Sequence, residues 1–282
     1  MLEQGIFNGL MSSGIYVLIA MGLTLVLSIL GIVQLAHGEI YMLGAYGVYF
    51  LSTMAGLHFL PALLVSMAAT GLLGIILEKI FFRPFRNDPE RAVIVAIGLI
   101  LFLQQAVFLA VGGVPKSLPN PFSGIIKVGG IVIPMERLII VLAALVLIAV
   151  LFLLINKTKM GQAMVAVSQD RDSASLYGIN IDRTSSFAMF LGCFLAAAAG
   201  GLVGSITSVS PGMGGVALIK GIAVIILGGL GSITGAVIGG FIIGMLDGII
   251  PIFFSTQVSS VAGFVIIIVI LILRPRGLLG HE

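Results

Sequence analysis

Long apolar runs broken by short polar stretches dominate the chain, and a helix that crosses a bilayer needs about 20 such residues. On that measure, spans are expected at 8–32, 38–57, 60–79, 92–112, 138–156, 184–208, 214–230, 233–250 and 257–273. The pattern predicts an all-α polytopic membrane protein. Two polar gaps are long. Residues 113–137 hold Pro115, Pro119, Pro121 and Pro134 with Gly129 and Gly130, which predicts a turn-rich loop. Residues 157–183 carry three acidic and four basic side chains inside what reads as one transmembrane domain over 1–282.

Composition sharpens this. Charged residues are 9% and apolar ones 59% of the 282, where a soluble domain runs near 25% charged. So few charges cannot cover a globular surface, which excludes a soluble fold. The first apolar stretch lacks a basic leader and a small-residue cleavage site, so it is expected to remain as a span. A net charge of +3 gives no case for nucleic acid. The placement of the charges says more.

Basic residues in short loops mark the cytoplasmic side. Ten of them, Lys79, Arg83, Arg86, Arg91, Lys157, Lys159, Arg171, Arg183, Arg274 and Arg276, fall in 79–91, 157–183 and the tail. Lys116, Lys127 and Arg137 fall on the other side, and Lys220 falls inside a span. Nine crossings put the three basic segments, and with them the C-terminus, on the cytoplasmic face and the N-terminus outside. An eight-span count makes one short segment re-entrant and reverses the N-terminus. With nine, spans one to four and six to nine have opposite orientation, an inverted repeat linked by the fifth.

Polar breaks interrupt both halves. Gly31, Gln34, His37, Gly38 and Glu39 separate the first two spans, and Ser210, Pro211, Gly212, Gly214, Gly215 and Lys220 open the short seventh. Paired broken segments point to a transport site, where exposed helix N-termini can face a carboxylate. Gln34, His37, Glu39, Lys220 and Asp247 are therefore the candidate pathway residues. Three of them have a plainer reading. His37 and Glu39 suit an ordinary helix start, and Lys220 can snorkel to the interface. Gln104 and Gln105 read as interhelical hydrogen-bonding residues. Gly235, Gly239, Gly240 and Gly244 make one smooth face for close helix packing.

Other chemistry is absent from the sequence. No Gly-Lys dipeptide, Gly-x-Ser-x-Gly elbow or His-Glu-x-x-His site occurs. The lone Cys193 reads as a packing residue, and His37, His58 and His281 are scattered, the last two expected in solvent. No catalytic set, metal site or cofactor is expected. In 157–183, Met160, Met164 and Val167 share a helical face with Ala163 beside them. Asp170 or Asp172 can cap a second short helix that Gly178 ends in the left-handed conformation. These helices read as a docking surface, with an interfacial helix on the bilayer as the alternative. Arg171 is expected on a solvated side.

The stretch from Thr158 to Asp182 closely resembles the ATPase-coupling loop of branched-chain amino-acid ABC permeases. Gly31–Glu39, Ala96–Leu99 with Leu103-Gln104, Leu227–Ser232 and Arg274–Leu278 extend the likeness over nearly the whole chain, and the length and His-Gly-Glu element resemble the LivH-type subunit. Asp247 departs from it, since the family commonly carries glutamate there. The resemblance implies a multi-pass subunit of the bacterial inner membrane with a second, LivM-type permease subunit. Two cytoplasmic ATPase subunits and a periplasmic binding protein delivering leucine, isoleucine or valine would complete the importer. It assigns ATPase coupling to Met160, Gly161, Ala163, Met164, Val167, Asp170, Asp172 and Gly178, with the methionine–valine face as the contact. A urea or short-amide permease, and an ATP-independent carrier or channel, are the rival readings.

Overall fold

The computed structural model describes residues 2–118, 122, 124–128 and 131–280, and every expected span in it is a helix. In chain order these are α1 (Leu2–Leu30), α2 (His37–Thr53), α3 (Phe59–Leu77), α4 (Pro89–Val111) and α5 (Met135–Lys157). Two short helices follow, α6 (Lys159–Gln169) and α7 (Arg171–Leu176), then α8 (Ile181–Gly204), α9 (Met213–Gly228), α10 (Ile233–Phe253) and α11 (Thr256–Leu273). A small antiparallel hairpin, β1 (Ile125–Val128) with β2 (Ile131–Pro134), stands in the gap where a loop was expected. Pro119, Pro121, Gly129, Gly130 and His281 lie outside the described residues; His58 is exposed as expected, edge-on to Phe122.

Among the described residues, six helices, or helices with their extensions, are long and apolar enough to cross a bilayer. The helices α2 and α9 have 17 and 16 residues. At 1.5 Å per residue each reaches only about 25 Å, short of a hydrocarbon core of about 30 Å. The chain leaves α1 through Gly31, at φ 72°, and starts α2 only at His37. His37 lies against Gly22, where a Cβ would stand 3.0 Å from its Nε2. Gly22 is about 12 Å inside the end of α1 by helical rise, so α2 begins deep in the bundle. There it meets the start of α9. A Cβ on Gly38 would stand 2.3 Å from the Gly214 carbonyl oxygen, and one on Gly214 would stand 2.5 Å from that of Gly38. Only glycine allows so close a backbone approach. Two half-length helices thus start against each other in the interior and run to opposite ends.

The packing repeats between the halves. Helix α1 packs on α10 as α8 packs on α3; α2 on α8 as α9 on α1; and α2 on α3 as α9 on α10. An inverted repeat of four helices each accounts for these pairings, with α5 as linker. The glycines of α10 pack closely but on two faces rather than the one expected: Cβ atoms on Gly240, Gly244 and Gly248 would meet the backbone of Val17, Ser13 and Gly9 of α1, and those on Gly235 and Gly239 the backbone of Gly228 and Val224 of α9. In lipid such close van der Waals packing, rather than apolar burial, holds helices together. The interior is carried by α1 and α8, with Leu18, Met21, Leu23 and Ala196–Ala199 fully buried. Cys193 packs there as expected, where a Cβ on Gly74 would stand 2.6 Å from its Sγ.

Contacts at the two ends decide the crossing number. Arg137 donates to Asn8, and α1 packs on β2, which places the start of α1 with the 113–137 segment; Lys116 pairs with Val209, which puts the α8–α9 connection at the same end. The finish of α1 lies with the basic segments, since Arg171 reaches the Ile29 carbonyl and Ser28 reaches Gly231. The fold follows the nine-span pattern. At that basic end the tail also folds back, with the Leu278 and Leu279 amides donating to the Leu227 and Gly228 carbonyls that end α9.

Candidate functional site

Where α2 and α9 meet, polar side chains gather in the apolar interior. Gln34 and His37 are fully buried, and Glu39 is 4% exposed. His37 Nδ1 stands 3.3 Å from Gln34 Oε1. Glu39 Oε2 and Thr24 Oγ1 are buried with no hydrogen-bond partner from the protein, and Gln34 and His37 find at most weak ones in the Cys193 thiol and the Ile19 backbone. Each buried polar atom left unmatched costs about 1–3 kcal/mol, so a cluster of them calls for an explanation beyond packing. Neither half-helix has a side-chain cap: Ala36 and Gly212 occupy the cap positions. Their dipoles favour negative charge, although the His37, Glu39 and Met213 amides already donate to the Gln34, Ala36 and Ser210 carbonyls. A groove of about 420 Å³ lined by Gln104, Gln105, Phe108, Gly113, Ser210, Pro211 and Gly212 ends at the start of α9. Neither glutamine bonds another helix among the described residues, which corrects their expected role.

Lys220 and Asp247, read separately in the sequence, bind each other. Lys220 Nζ lies 2.7 Å from Asp247 Oδ2, with each side chain 14% exposed. Tyr16 Oη donates to the same oxygen at 2.7 Å and Ser259 Oγ to Oδ1 at 2.9 Å. The ammonium also stands 5.6 Å from the centre of the Tyr16 ring, within cation–π range. The quartet joins α1, α9, α10 and α11. Lys220 therefore does not snorkel away as a lone charge. Tyr16 and Ser259 were invisible to the sequence reading because single hydroxyls in apolar spans carry no pattern.

The 157–183 segment is built as expected but turned the other way. Thr158 Oγ1 accepts from the Gly161 amide at 3.0 Å and starts α6. A Cβ on Gly161 would fall 2.3 Å from the Leu154 and Ile155 carbonyls, so glycine lets α6 fold back on α5. Asp170 caps α7 through the Asp172 and Ser173 amides at 2.9 and 3.1 Å. The Ser173 hydroxyl and amide hold the Asp170 pKa below its ordinary value. Asp172 is exposed beside it, and Gly178 takes φ 81°. Met164 and Val167, however, are 2% and 4% exposed, Met160 and Ala163 partly covered. The face expected to contact a partner packs instead on this chain's own α5, α8 and α1. A helical stripe shows which residues are covered and leaves open what covers them. Outward stand Val165, Leu176 and Tyr177, the last two at 87% and 89% exposure.

A network that the sequence reading treated as surface charge ties this end together. Glu78, fully buried on a π-helical turn Glu78–Phe82, takes Arg83 at 2.8 Å, Arg86 at 2.9 Å and the Ser186 hydroxyl at 2.8 Å. Asp182 takes the far ends of both arginines at 3.3 and 2.8 Å. The end of α3 and the start of α8 are thereby clamped. Arg171, expected in solvent, is partly buried and donates to Ile29 O at 2.8 Å.

Half-helices meeting inside an inverted repeat of membrane helices define a polytopic transport permease. The chain belongs to the family described as the branched-chain amino acid transport system / permease component, which matches residues 5–273. It is 35% identical to the high-affinity branched-chain amino acid transport system permease protein LivH of Escherichia coli (strain K12), over 99% of this chain and 95% of that protein. To its counterpart BraD of Pseudomonas aeruginosa it is 33% identical, with the same coverage of 99% and 95%. Among solved structures, PsaBC from Streptococcus pneumoniae in complex with Fab shares the fold, at TM-score 0.51 and 14% identity, covering 92% of this chain and 89% of that one.

Proposed function

We propose that the chain is the LivH-type permease subunit of an importer for leucine, isoleucine or valine, working with a second permease subunit, two ATPase subunits and a binding protein. The observation that carries this is full-length similarity at 33–35% to the LivH and BraD permeases. The basic end faces the cytoplasm and carries the C-terminal tail, a reading that the excess of lysine and arginine there supports. Gln34, His37 and Glu39 border the pathway where the half-helices meet, and the Lys220–Asp247 pair fixes α9 beside it. Substrate carboxylate approaches the uncapped start of α9 along the Gln104–Gln105 groove. The 157–183 segment couples to the ATPases. Gly161, Met160, Ala163, Met164 and Val167 seat it on the bundle, Asp170, Asp172 and Gly178 shape α7, and Leu176 and Tyr177 make the contact. Large exposed apolar side chains in a polar rim suit a protein partner better than a bilayer. The neighbouring Asp170 and Asp172 carboxylates would be repelled by an anionic leaflet.

The test is reconstitution of the chain with the second permease subunit, the ATPase subunits and the binding protein in proteoliposomes. ATP-dependent uptake of labelled leucine, competed by isoleucine and valine, is the expected result. Uptake of urea or an amide, or uptake that proceeds without ATPase subunits, would overturn the assignment.

A further inference from the structure

A helix leaves its last four carbonyls without partners in the helix, and a cation there is favoured by the helix dipole. The last turn of α1 holds no basic residue. Its Leu27 carbonyl takes the Gly31 amide at 2.9 Å, and its Ile29 carbonyl takes Arg171 Nη2 at 2.8 Å, from a residue 142 positions away. Arg171 is the first residue of α7, directly after the Asp170 cap. Burial, then the nearby Arg86, pull its pKa below the ordinary arginine value; a guanidinium stays charged regardless. The contact is therefore held against a desolvation cost.

Its position matters more than its strength. Gly31 follows Ile29 closely, and its φ of 72° turns the chain at this point into the segment that delivers Gln34, His37 and α2. One residue before Ile29, the Ser28 hydroxyl is shared between its own helix, at the Thr24 carbonyl (2.7 Å), and the Gly231 carbonyl (3.0 Å) in the turn that joins α9 to α10. The end of α1 thus touches the segment that leads into α2 and the turn that follows α9, and Arg171 is its hydrogen-bonded link to α7.

Building on the coupling role proposed for 157–183, we infer that Arg171 is a positioning residue that transmits displacement of α6–α7 to the end of α1, and through Gly31 and Ser28 to both half-helices. The Met164–Val167 face holds the segment to the bundle, whereas Arg171 sets where α1 ends relative to it.

The test uses the reconstituted importer complex with Arg171→Gln, Arg171→Lys and the exposed control Arg183→Gln. Three quantities are read: ATPase subunits retained per permease, ATPase activity without binding protein, and stimulation by loaded binding protein. Loss of a charged hydrogen bond is expected to lower stimulation about tenfold in Arg171→Gln, with ATPase retention unchanged. Arg171→Lys, which can still donate to Ile29 O, recovers a good part of it, and Arg183→Gln matches the parent. Equal stimulation in Arg171→Gln and the parent overturns the inference. Should Arg171→Gln fail to insert, Ser28→Ala carries the same comparison, and parental stimulation in it overturns the inference equally. Failure of the unmodified complex to couple ATP to uptake counts against the importer reading instead.

Discussion

Replacing Lys220 by Met and Asp247 by Asn, singly and together, probes the quartet that fixes the second half-helix. At 2.7 Å and an effective dielectric near 20, the pair's gross attraction is about 6 kcal/mol. Desolvation of both charges takes back much of that, so the pair as a whole adds little net stability. Breaking it is different. A lone charge left inside costs about 3 kcal/mol, between the membrane insertion scale for lysine and the buried-pair measurements. The carboxamide introduced by Asp247→Asn would still offer one oxygen to Tyr16 and an amide to its surroundings, so removal of charge, rather than loss of shape, dominates. Each single variant should lower thermal stability of the detergent-extracted protein, and the double variant should recover most of the loss. A coupling of about 2 kcal/mol or more is expected, where independent sites add within about 0.5 kcal/mol. Additive losses would refute the argument. Uptake then separates two roles. A pair that only positions α9 gives back transport with stability in the double variant; a lysine that handles substrate does not.

Met164→Asp should now fail at folding, because a carboxylate at a 2% exposed position inside the chain's own packing has no partner; yield of monodisperse protein checks this. Tyr177→Asp should leave that yield intact and abolish retention of ATPase subunits on affinity-purified permease. Gly38→Val should inactivate uptake, since its first side-chain atom already falls 2.3 Å from a backbone oxygen of α9. Gly178→Val forces a β-branched residue to φ 81°, which should cost about 1–2 kcal/mol and show as earlier proteolysis of the 157–183 segment. With Cys193 replaced, Ser175→Cys should react with membrane-impermeant maleimide only in opened cells, and Val114→Cys in intact ones.

The spans were legible because lipid leaves the backbone few choices: an apolar run of that length has to satisfy its own hydrogen bonds as helix. Both breaks were legible for a related reason, since Gly31 with His37 and Pro211 with Gly214 end the apolar periodicity where the chain turns inward. What faced what was not legible. Lys220 and Asp247 are 27 positions apart on different helices, and no local spacing brings them together. The amphipathic face of α6 was read accurately and assigned the wrong cover, because periodicity is identical whether a stripe meets the same chain or another. Arg171 looked like a solvated charge for want of any signal that a distant helix end lacked a cation.

The contact between Gly38 and Gly214 has a genetic consequence. Most packing defects can be repaired by shrinking the opposing side chain. Here both sides are backbone, and neither residue has anything left to remove. Selection for revertants of Gly38→Ala should therefore return no size-compensating change at 214. Suppressors are expected where the separation of the helices is set, at Gly22 and Gly192 of α1 and α8 or around the Lys220 quartet, or only as true reversion.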